Sequence, residues 1–138
     1  MLVLSRKQRK YRLNTMLELN MQIQIKRIYD PIAASDGKRI LVDRLWPRGV
    51  SKEKAQLDLW LKNIAPSPQL RKAFNHQAEH WSEFQHHYYQ ELKNNPDVTE
   101  LKKLADREVV TLLYAAKDPA LNHALVLRNY LFSKKITN

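Results

Sequence analysis

Two short segments of the chain place basic, acidic and amide side chains directly after strand-like patterns. The first is DRLWPRG at 43–49, which Lys52 follows closely. The second, 117–123, contains Lys117, Asn122 and His123. In open α/β sheets, ligands bind beyond the carboxyl ends of the strands, where loops and helix N-termini meet. We therefore expect the two segments to contribute to one site.

The residue types in these segments indicate an anionic ligand. Guanidinium groups bind phosphate or carboxylate bidentately, and the N-terminus of a helix favours negative charge. If the two preceding strands are parallel neighbours, Arg44, Arg48 and Lys117 converge near such an N-terminus. The expected ligand-binding set is Arg44, Trp46, Arg48, Lys52, Lys117 and Asn122.

His123 and Asp43 are the two candidates for chemistry at this site. His123 has the side chain of a general acid or base, and Asp43 could orient a ligand hydroxyl or act as a base. Structural roles stay open for both: a packed histidine in a first helical turn, and a carboxylate paired with Arg44. Arg44 has Asp118 as a second possible partner, and Trp46 is open to two interpretations, a packing residue or a stacking platform for a base.

The composition excludes several classes of function. The 138 residues include no cysteine, which excludes disulfides, a thiol nucleophile and Cys-ligated zinc. The two glycines, Gly37 and Gly49, are too few for a dinucleotide fingerprint and too far apart for a Walker A loop. His76 and His80 are four residues apart but show no HExxH order, so we expect no metal site. No cofactor is predicted.

The chain is strongly basic, with 24 Lys and Arg against 14 Asp and Glu and a formal net charge of +10. Such a charge favours an anionic small molecule or nucleotide as partner, or nucleic acid. No apolar run approaches the ~18–20 residues of a membrane span, and no signal-peptide pattern follows the basic N-terminus. We therefore expect a cytoplasmic protein without a membrane partner. The oligomeric state stays open.

Residues 1–20 form a basic N-terminal extension with a net charge of +4. Their weak periodicity gives way abruptly to a strand pattern at Met21. Three interpretations compete: a nucleic-acid-binding arm, a targeting segment, or coding sequence upstream of the true start. We favour the last, and we expect residues 21–138 to form a single domain.

Three segments carry strand patterns. Residues 21–29 alternate apolar and polar side chains, the period-2 signature of a strand. Residues 39–46 contain the apolar run Ile40–Val42, which suits a strand covered on both faces. Residues 109–115 are short and nearly all apolar, as expected of a central parallel strand.

The region between the second and third strand patterns, 51–107, reads as helical. Ser67 and the proline after it predict the start of a short helix, and a longer helix is expected over about 79–94. Asp118 and the next proline predict the start of a final helix. One further apolar helix face is predicted from the i, i+3, i+4, i+7 spacing of Leu57, Trp60, Leu61 and Ile64. Together the elements predict a three-layer, Rossmann-like α/β domain with a small, mostly parallel sheet and a helical middle section.

Four stretches of the chain resemble a known bacterial family. DRLWPRG (43–49), SPQLRKAF (67–74), WSEFQHHYYQEL (81–92) and TLLYAAKDPALNHALVL (111–127) are similar to the YeaO-like branch of the family of domains of unknown function numbered 488. The resemblance covers about residues 21–133 and implies a Rossmann-like fold that begins near Met21. It implies no established reaction. More typical members are similar in this region but carry a Cys-His-Arg triplet where this chain has Asn122-His123-Ala124, so only the histidine carries over and thiol chemistry does not.

Two functions of different classes follow from these observations. The first is a small α/β protein that binds a phosphorylated or nucleotide-like anion and possibly acts on it. The alternative is a non-catalytic, regulatory module that binds nucleic acid, for which the net charge and interspersed aromatic residues are the motive. Binding that weakens steeply with salt distinguishes the second from the first.

Overall fold

A sheet of four parallel strands organises the part of the chain that the computed structural model describes, residues 22–137, with side chains described to Ser133. The order across the sheet is β1-β4-β2-β3, and each neighbouring pair is parallel. The prediction of a small, mostly parallel sheet is confirmed. The strands are β1 (Ile23–Arg27), β2 (Lys38–Leu41), β3 (Leu59–Trp60) and β4 (Val110–Tyr114).

Helices and 3-10 turns connect these strands. Within residues 22–137 no helix combines the length and the apolar composition that crossing a bilayer requires. The helices are α1 (Lys52–Ala55), α2 (Pro68–Phe74), α3 (Trp81–Lys93), α4 (Pro96–Arg107) and α5 (His123–Thr137), and the 3-10 turns are Ala34–Asp36, Lys62–Ile64 and Ala78–His80.

The two faces of the sheet contribute to two apolar clusters. Ile40 and Leu112 belong to the larger cluster, which α2, α3, α4 and α5 complete. The next residue of each strand, Leu41 and Leu113, belongs to a smaller cluster on the opposite face, together with Ala55 of α1. Successive side chains point to opposite faces of a strand, so both faces are covered. The arrangement agrees with the predicted three-layer fold.

β4 is the central strand, as the sequence predicts. It lies between β1 and β2, with Leu112 in register with Ile25 on one side and Ile40 on the other. All of its residues, from Val110 to Tyr114, are buried. Because the strands are parallel, the loops that follow β2 and β4 leave the sheet at the same edge, and the two segments singled out above are brought together there.

The predicted cap at Ser67 is confirmed, and it also joins two helices. Its hydroxyl accepts a hydrogen bond from the Leu70 N–H at 3.2 Å, which satisfies an orphan donor at the start of α2. The same hydroxyl donates to Glu91 Oε2 of α3 at 2.6 Å, and the Ser67 N–H donates to Glu91 Oε1 at 2.9 Å. One carboxylate therefore fixes the start of α2 against α3.

The apolar helix face predicted over residues 57–64 is wrong. α1 ends after one turn because Gln56 adopts a left-handed conformation with φ of 46°. Beyond it, the chain pairs with β2: the Asp58 N–H donates to Arg39 O and the Leu61 N–H donates to Leu41 O. Pairing with the edge of the sheet overrides the local helical spacing, and produces the short strand β3.

The predicted start of the last helix, with Asp118 as its cap, is also wrong: the cap is Asn122, four residues later. The Asp118 carboxylate does accept backbone hydrogen bonds, from Ala120 N at 2.8 Å and Leu121 N at 3.0 Å, but these close a turn. α5 begins at His123, and Asn122 supplies the capping oxygen that accepts from the Leu125 N–H at 3.0 Å. Two capping-type side chains lie in one segment, and the second begins the helix.

A buried ionic cluster fixes the chain ahead of β2. The Asp36 carboxylate accepts hydrogen bonds from Arg39 at 2.6 Å, Lys26 at 2.8 Å and the Ala33 N–H at 3.1 Å. Burial raises the pKa of Asp36, but the bonds from Lys26, Ala33 and Arg39 outweigh it, so the pKa lies below its ordinary value of 3.8. Gly37 follows with φ of 62°, and a Cβ there would lie 2.2 Å from Val109 O.

Candidate functional site

A cleft of about 680 Å³ opens at the carboxyl edge of the sheet. The loops after β2 and β4 form part of its wall, through residues 43–48, 115–116 and 121–123. α2 and its flanking residues form another part, within 65–76. Tyr29 after β1 and Phe84 of α3 complete the lining. The cleft occupies the position where open parallel sheets bind ligands.

The lining of the cleft is predominantly basic. It holds four cationic side chains against one carboxylate, that of Asp43. Two histidines, His76 and His123, also line the cleft, and a histidine carries positive charge only when it is protonated. The four cations are Arg44, Arg48, Arg71 and Lys72.

The structure brings Asp43 and His123 together. Asp43 Oδ1 lies 3.1 Å from His123 Nε2, and Asp43 Oδ2 accepts a hydrogen bond from the Ala115 N–H at 2.9 Å. The backbone oxygen of Asp43 accepts from Trp60 Nε1 at 2.7 Å. The carboxylate thus links the end of β2 to the end of β4 and to the first residue of α5.

The partners of His123 determine which ring nitrogen carries the proton. Nε2 lies 2.9 Å from the Val42 carbonyl oxygen, and a carbonyl oxygen only accepts. Nε2 therefore carries a hydrogen directed at Val42, and Asp43 Oδ1 stays buried beside it without an aligned hydrogen bond. In the neutral ring Nδ1 is then the acceptor, and it has no hydrogen-bond partner within residues 22–137.

Tyr88 of α3 packs against the His123 ring and does not line the cleft. The two rings meet edge to face, with centroids 6.3 Å apart. The buried Tyr88 hydroxyl donates to Ile64 O at 2.7 Å, and burial raises the pKa of Tyr88 well above its ordinary value of 10.0. The phenol therefore stays neutral and acts as a support for the histidine.

Arg44 forms neither of the ion pairs considered from the sequence within the described residues. Its guanidinium donates through one nitrogen to Ala65 O at 3.1 Å and to Pro66 O at 3.4 Å. Its Nε is buried and has no hydrogen-bond partner in the described part of the chain. These bonds hold the side chain in the wall of the cleft, and among the described residues no carboxylate forms an ion pair with its guanidinium.

Arg48 is held by its backbone alone. Its carbonyl oxygen accepts a hydrogen bond from the Tyr29 hydroxyl at 3.0 Å, which ties the loop after β2 to the loop after β1. The Arg48 residue is exposed and lines the cleft. No described residue forms an ion pair or hydrogen bond with its guanidinium.

Trp46 and Asn122 line the cleft but are engaged in holding the fold. Trp46 Nε1 donates to Val50 O at 2.6 Å, and its ring packs edge to face on Trp60 at 5.3 Å. Asn122 is 3% exposed; besides capping α5, its amide donates to Asp118 O and Pro119 O. Asn122 therefore sets the position of His123, the next residue.

Lys52 and Lys117 do not line the cleft. Both are exposed, Lys52 in the first turn of α1 and Lys117 in the loop after β4. Of the three cations expected to converge, Arg44 and Arg48 do so and Lys117 does not.

Sequence reasoning missed the contribution of α2 and the turn that ends it. Arg71 and Lys72 lie in the last turn of α2 and face the cleft together with Asn75 and His76. Asn75 and His76 have φ of 46° and 55°, the left-handed region that non-glycine residues seldom adopt. The sequence SPQLRKAF shows the helix but gives no signal that its last turn meets the strand ends.

No set of three or more His, Asp or Glu side chains within residues 22–137 is arranged to hold a metal ion. The side chains of the cleft supply cationic groups that bind oxyanions, and an imidazole that accepts or donates one hydrogen bond.

Comparison with known proteins shows the family to which the chain belongs. The sequence profile described as "Inactive DUF488-N3 subclade" matches residues 22–137. "Uncharacterized protein YeaO" of Escherichia coli (strain K12) is 50% identical over 116 residues, which are 82% of this chain and 99% of the relative. "Uncharacterized protein Rv3073c" of Mycobacterium tuberculosis (strain ATCC 25618 / H37Rv) is 40% identical over 110 residues, 80% of this chain and 93% of the relative. No solved structure matches. The chain is a YeaO-like member of the DUF488 family and belongs to its subclade described as inactive.

Proposed function

We propose that the cleft binds a phosphorylated, nucleotide-like anion. The observation that carries this proposal is the charge of the lining, four cations against one carboxylate. That carboxylate accepts a hydrogen bond from the Ala115 N–H and lies beside His123, and within the described residues no arginine forms an ion pair with it. An oxyanion with several acceptor oxygens is the chemical complement of such a surface.

The apolar part of the lining supports a ligand that is larger than a simple anion. Tyr29 and Leu45 are 47% and 68% exposed, and both line the cleft. Phe74 of α2 and Phe84 of α3 also line the cleft, with ring centroids 4.7 Å apart. The volume of about 680 Å³ also falls in the range of small-molecule sites, roughly 300–1,000 Å³. A ligand that combines a base or another flat group with a phosphate would match both the apolar and the basic side chains of the lining.

The proposed role is binding rather than turnover. The subclade is described as inactive, and the sequence contains no cysteine that could serve as a nucleophile. Val42 O and Asp43 hold the imidazole of His123 in a fixed position. In this proposal the imidazole forms a hydrogen bond with the bound phosphate. A cytoplasmic location is part of the proposal, because nucleotides and phosphorylated metabolites are available there.

A ligand screen with the 138-residue protein tests this function. Thermal unfolding and calorimetry are measured with AMP, ADP and ribose 5-phosphate, with adenosine as the uncharged control. We expect at least one phosphorylated compound to raise the Tm at 150 mM salt while adenosine does not, because a ligand stabilises the state that binds it. The same protein is titrated with a short DNA and a short RNA at 50 and 200 mM salt.

Two results would contradict the proposal. The first is that none of the three phosphorylated compounds binds. The second is that only the polynucleotides bind, with affinity that falls by orders of magnitude between the two salt concentrations. That outcome would favour the nucleic-acid-binding alternative.

A further inference from the structure

The two ring nitrogens of His123 have different surroundings. Nε2 is held on the protein side, 2.9 Å from Val42 O and 3.1 Å from Asp43 Oδ1. Nδ1 has no partner within residues 22–137, and His123 lines the cleft. A proton added to the neutral ring must therefore go to Nδ1, where the imidazolium presents an N–H donor that the protein itself does not use.

The charges around the ring have opposite effects on the protonation of Nδ1. On the protein side the Asp43 carboxylate favours the imidazolium. On the α3 side the neutral Tyr88 hydroxyl, bonded to Ile64 O, contributes no charge. On the cleft side the cations and a second titratable ring, that of His76, oppose protonation while the cleft lacks an anion. A bound dianion places negative charge beside the ring and so favours the imidazolium.

We infer that the cleft takes a terminal phosphate, a phosphomonoester dianion, and that its binding brings one proton from solvent to Nδ1 of His123. The imidazolium then lies between the Asp43 carboxylate and the phosphate and donates to a phosphate oxygen. The only bond formed is the Nδ1–H bond. This inference rests on the proposed function and deepens it, because it names the kind of phosphate that the site selects.

A phosphodiester fits such a site less well for a simple reason of charge. It carries one negative charge, whereas a phosphomonoester above its second pKa of about 6 carries two. An internal phosphate of DNA or RNA is a diester, so the inference also separates a terminal phosphate from the backbone of a nucleic acid. AMP and 3′,5′-cyclic AMP share base and ribose and differ in this property.

Calorimetry of the full chain at pH 8.0 measures both properties. AMP and 3′,5′-cyclic AMP are titrated in two buffers of different ionisation enthalpy, from which the number of protons taken up per ligand follows. AMP is already dianionic at this pH, so protons that enter on binding go to the protein. We expect a net uptake of protons when AMP binds, and binding of cyclic AMP weaker by about tenfold or more, the loss of one charge-assisted bond.

Variants assign the proton to one ring. His123→Gln places an amide near the position of Nε2, where it can still donate to Val42 O, but it accepts no proton. Its proton uptake should vanish, and its AMP affinity should fall about tenfold or more. Asp43→Asn removes the charge that favours the imidazolium and should reduce the uptake. His87→Gln, an exposed position on α3 outside the cleft, should behave as the unaltered protein.

Three results would overturn the inference while leaving the proposed function intact. The first is that AMP binds without proton uptake, and the second is that cyclic AMP binds as tightly as AMP. The third is that the proton uptake is lost in His76→Gln and kept in His123→Gln. Failure of AMP, ADP and ribose 5-phosphate alike to bind would instead defeat the proposed function itself.

Discussion

Replacing Arg48 by alanine separates ligand binding from stability more cleanly than replacing Arg44 does. Arg44 donates to two backbone oxygens, so its removal would disturb the loop at residues 65–66 as well. The Arg48 side chain is exposed and has no partner among the described residues, and the bond to Tyr29 uses the Arg48 backbone oxygen. That backbone bond survives the substitution.

The expected magnitudes follow from these contacts. A surface substitution without side-chain partners changes the free energy of unfolding by about 0.5 kcal/mol or less. A hydrogen bond between charged groups contributes about 1.5–3 kcal/mol to binding, which corresponds to a loss of affinity of about 10- to 150-fold. Arg48→Ala should therefore unfold at nearly the same urea concentration as the unaltered protein, and should bind AMP far more weakly.

Arg107→Ala is the matched control for this experiment. Arg107 is also exposed, lies in the last turn of α4, and does not line the cleft. Calorimetric titration with AMP at 150 mM salt, where distant surface charges are largely screened, compares the two variants. Equal affinity of Arg48→Ala and the unaltered protein would refute the placement of the anion beside Arg48. An equal loss in Arg107→Ala would show that net charge alone, and no specific site, attracts the ligand.

Three further predictions concern the scaffold that holds the site. Asp36→Asn should lower the free energy of unfolding at pH 7 by about 3 kcal/mol or more, because Lys26 and Arg39 lose a buried counter-charge. Since the pKa of Asp36 is lowered in the folded state, its contribution is present above pH 3.8 and is lost as the pH falls through the folded-state pKa. Urea unfolding between pH 7 and pH 2 should therefore show a shallower acid loss in Asp36→Asn than in the unaltered protein, and parallel pH profiles would contradict the role of this carboxylate. Asn122→Ala removes the cap of α5 and should cost about 1 kcal/mol or more in the same assay; a change within error would show that the amide does not hold the helix start. Gly37→Ala forces a Cβ to 2.2 Å from Val109 O and a side chain into positive φ, so the loss should exceed 1 kcal/mol; a variant as stable as the unaltered protein would show that the chain relaxes there without cost.

The sequence correctly predicts those parts of the fold in which the local sequence pattern and the tertiary contacts favour the same structure. β4 is apolar at nearly every position because it is covered on both faces, so its central place follows from composition alone. Ser67 with the following proline marks the start of α2 because capping is a local interaction. In both cases the decisive contacts lie within a few residues or depend only on burial.

The errors occur where distant contacts decide between local alternatives. Leu57, Trp60, Leu61 and Ile64 have helical spacing, but the edge of β2 offers backbone hydrogen bonds that the isolated segment lacks. At 118–122 two side chains are able to cap, and both accept backbone hydrogen bonds: Asp118 closes a turn and Asn122 caps α5. Neither the strand β3 nor the cap at Asn122 can be deduced from the spacing of apolar and capping residues.

The candidate site was partly predictable for a related reason. Parallel neighbours β2 and β4 bring Asp43 and His123 into contact, which follows once the strand order is assumed. Arg71 and Lys72 reach the same cleft because Ser67 and Glu91 fix α2 against α3. That contact spans 24 residues and depends on a single glutamate, for which the sequence gives no signal. The exclusion of Lys117 depends likewise on the turn that Asp118 closes.

The central claim, that the basic cleft holds a phosphomonoester, is tested most directly by a crystal structure of the full chain with saturating AMP. The account predicts a phosphate within hydrogen-bond distance of the Arg48 guanidinium and of His123 Nδ1, with His123 Nε2 still bonded to Val42 O. An empty cleft, or AMP bound elsewhere on the surface, would contradict it.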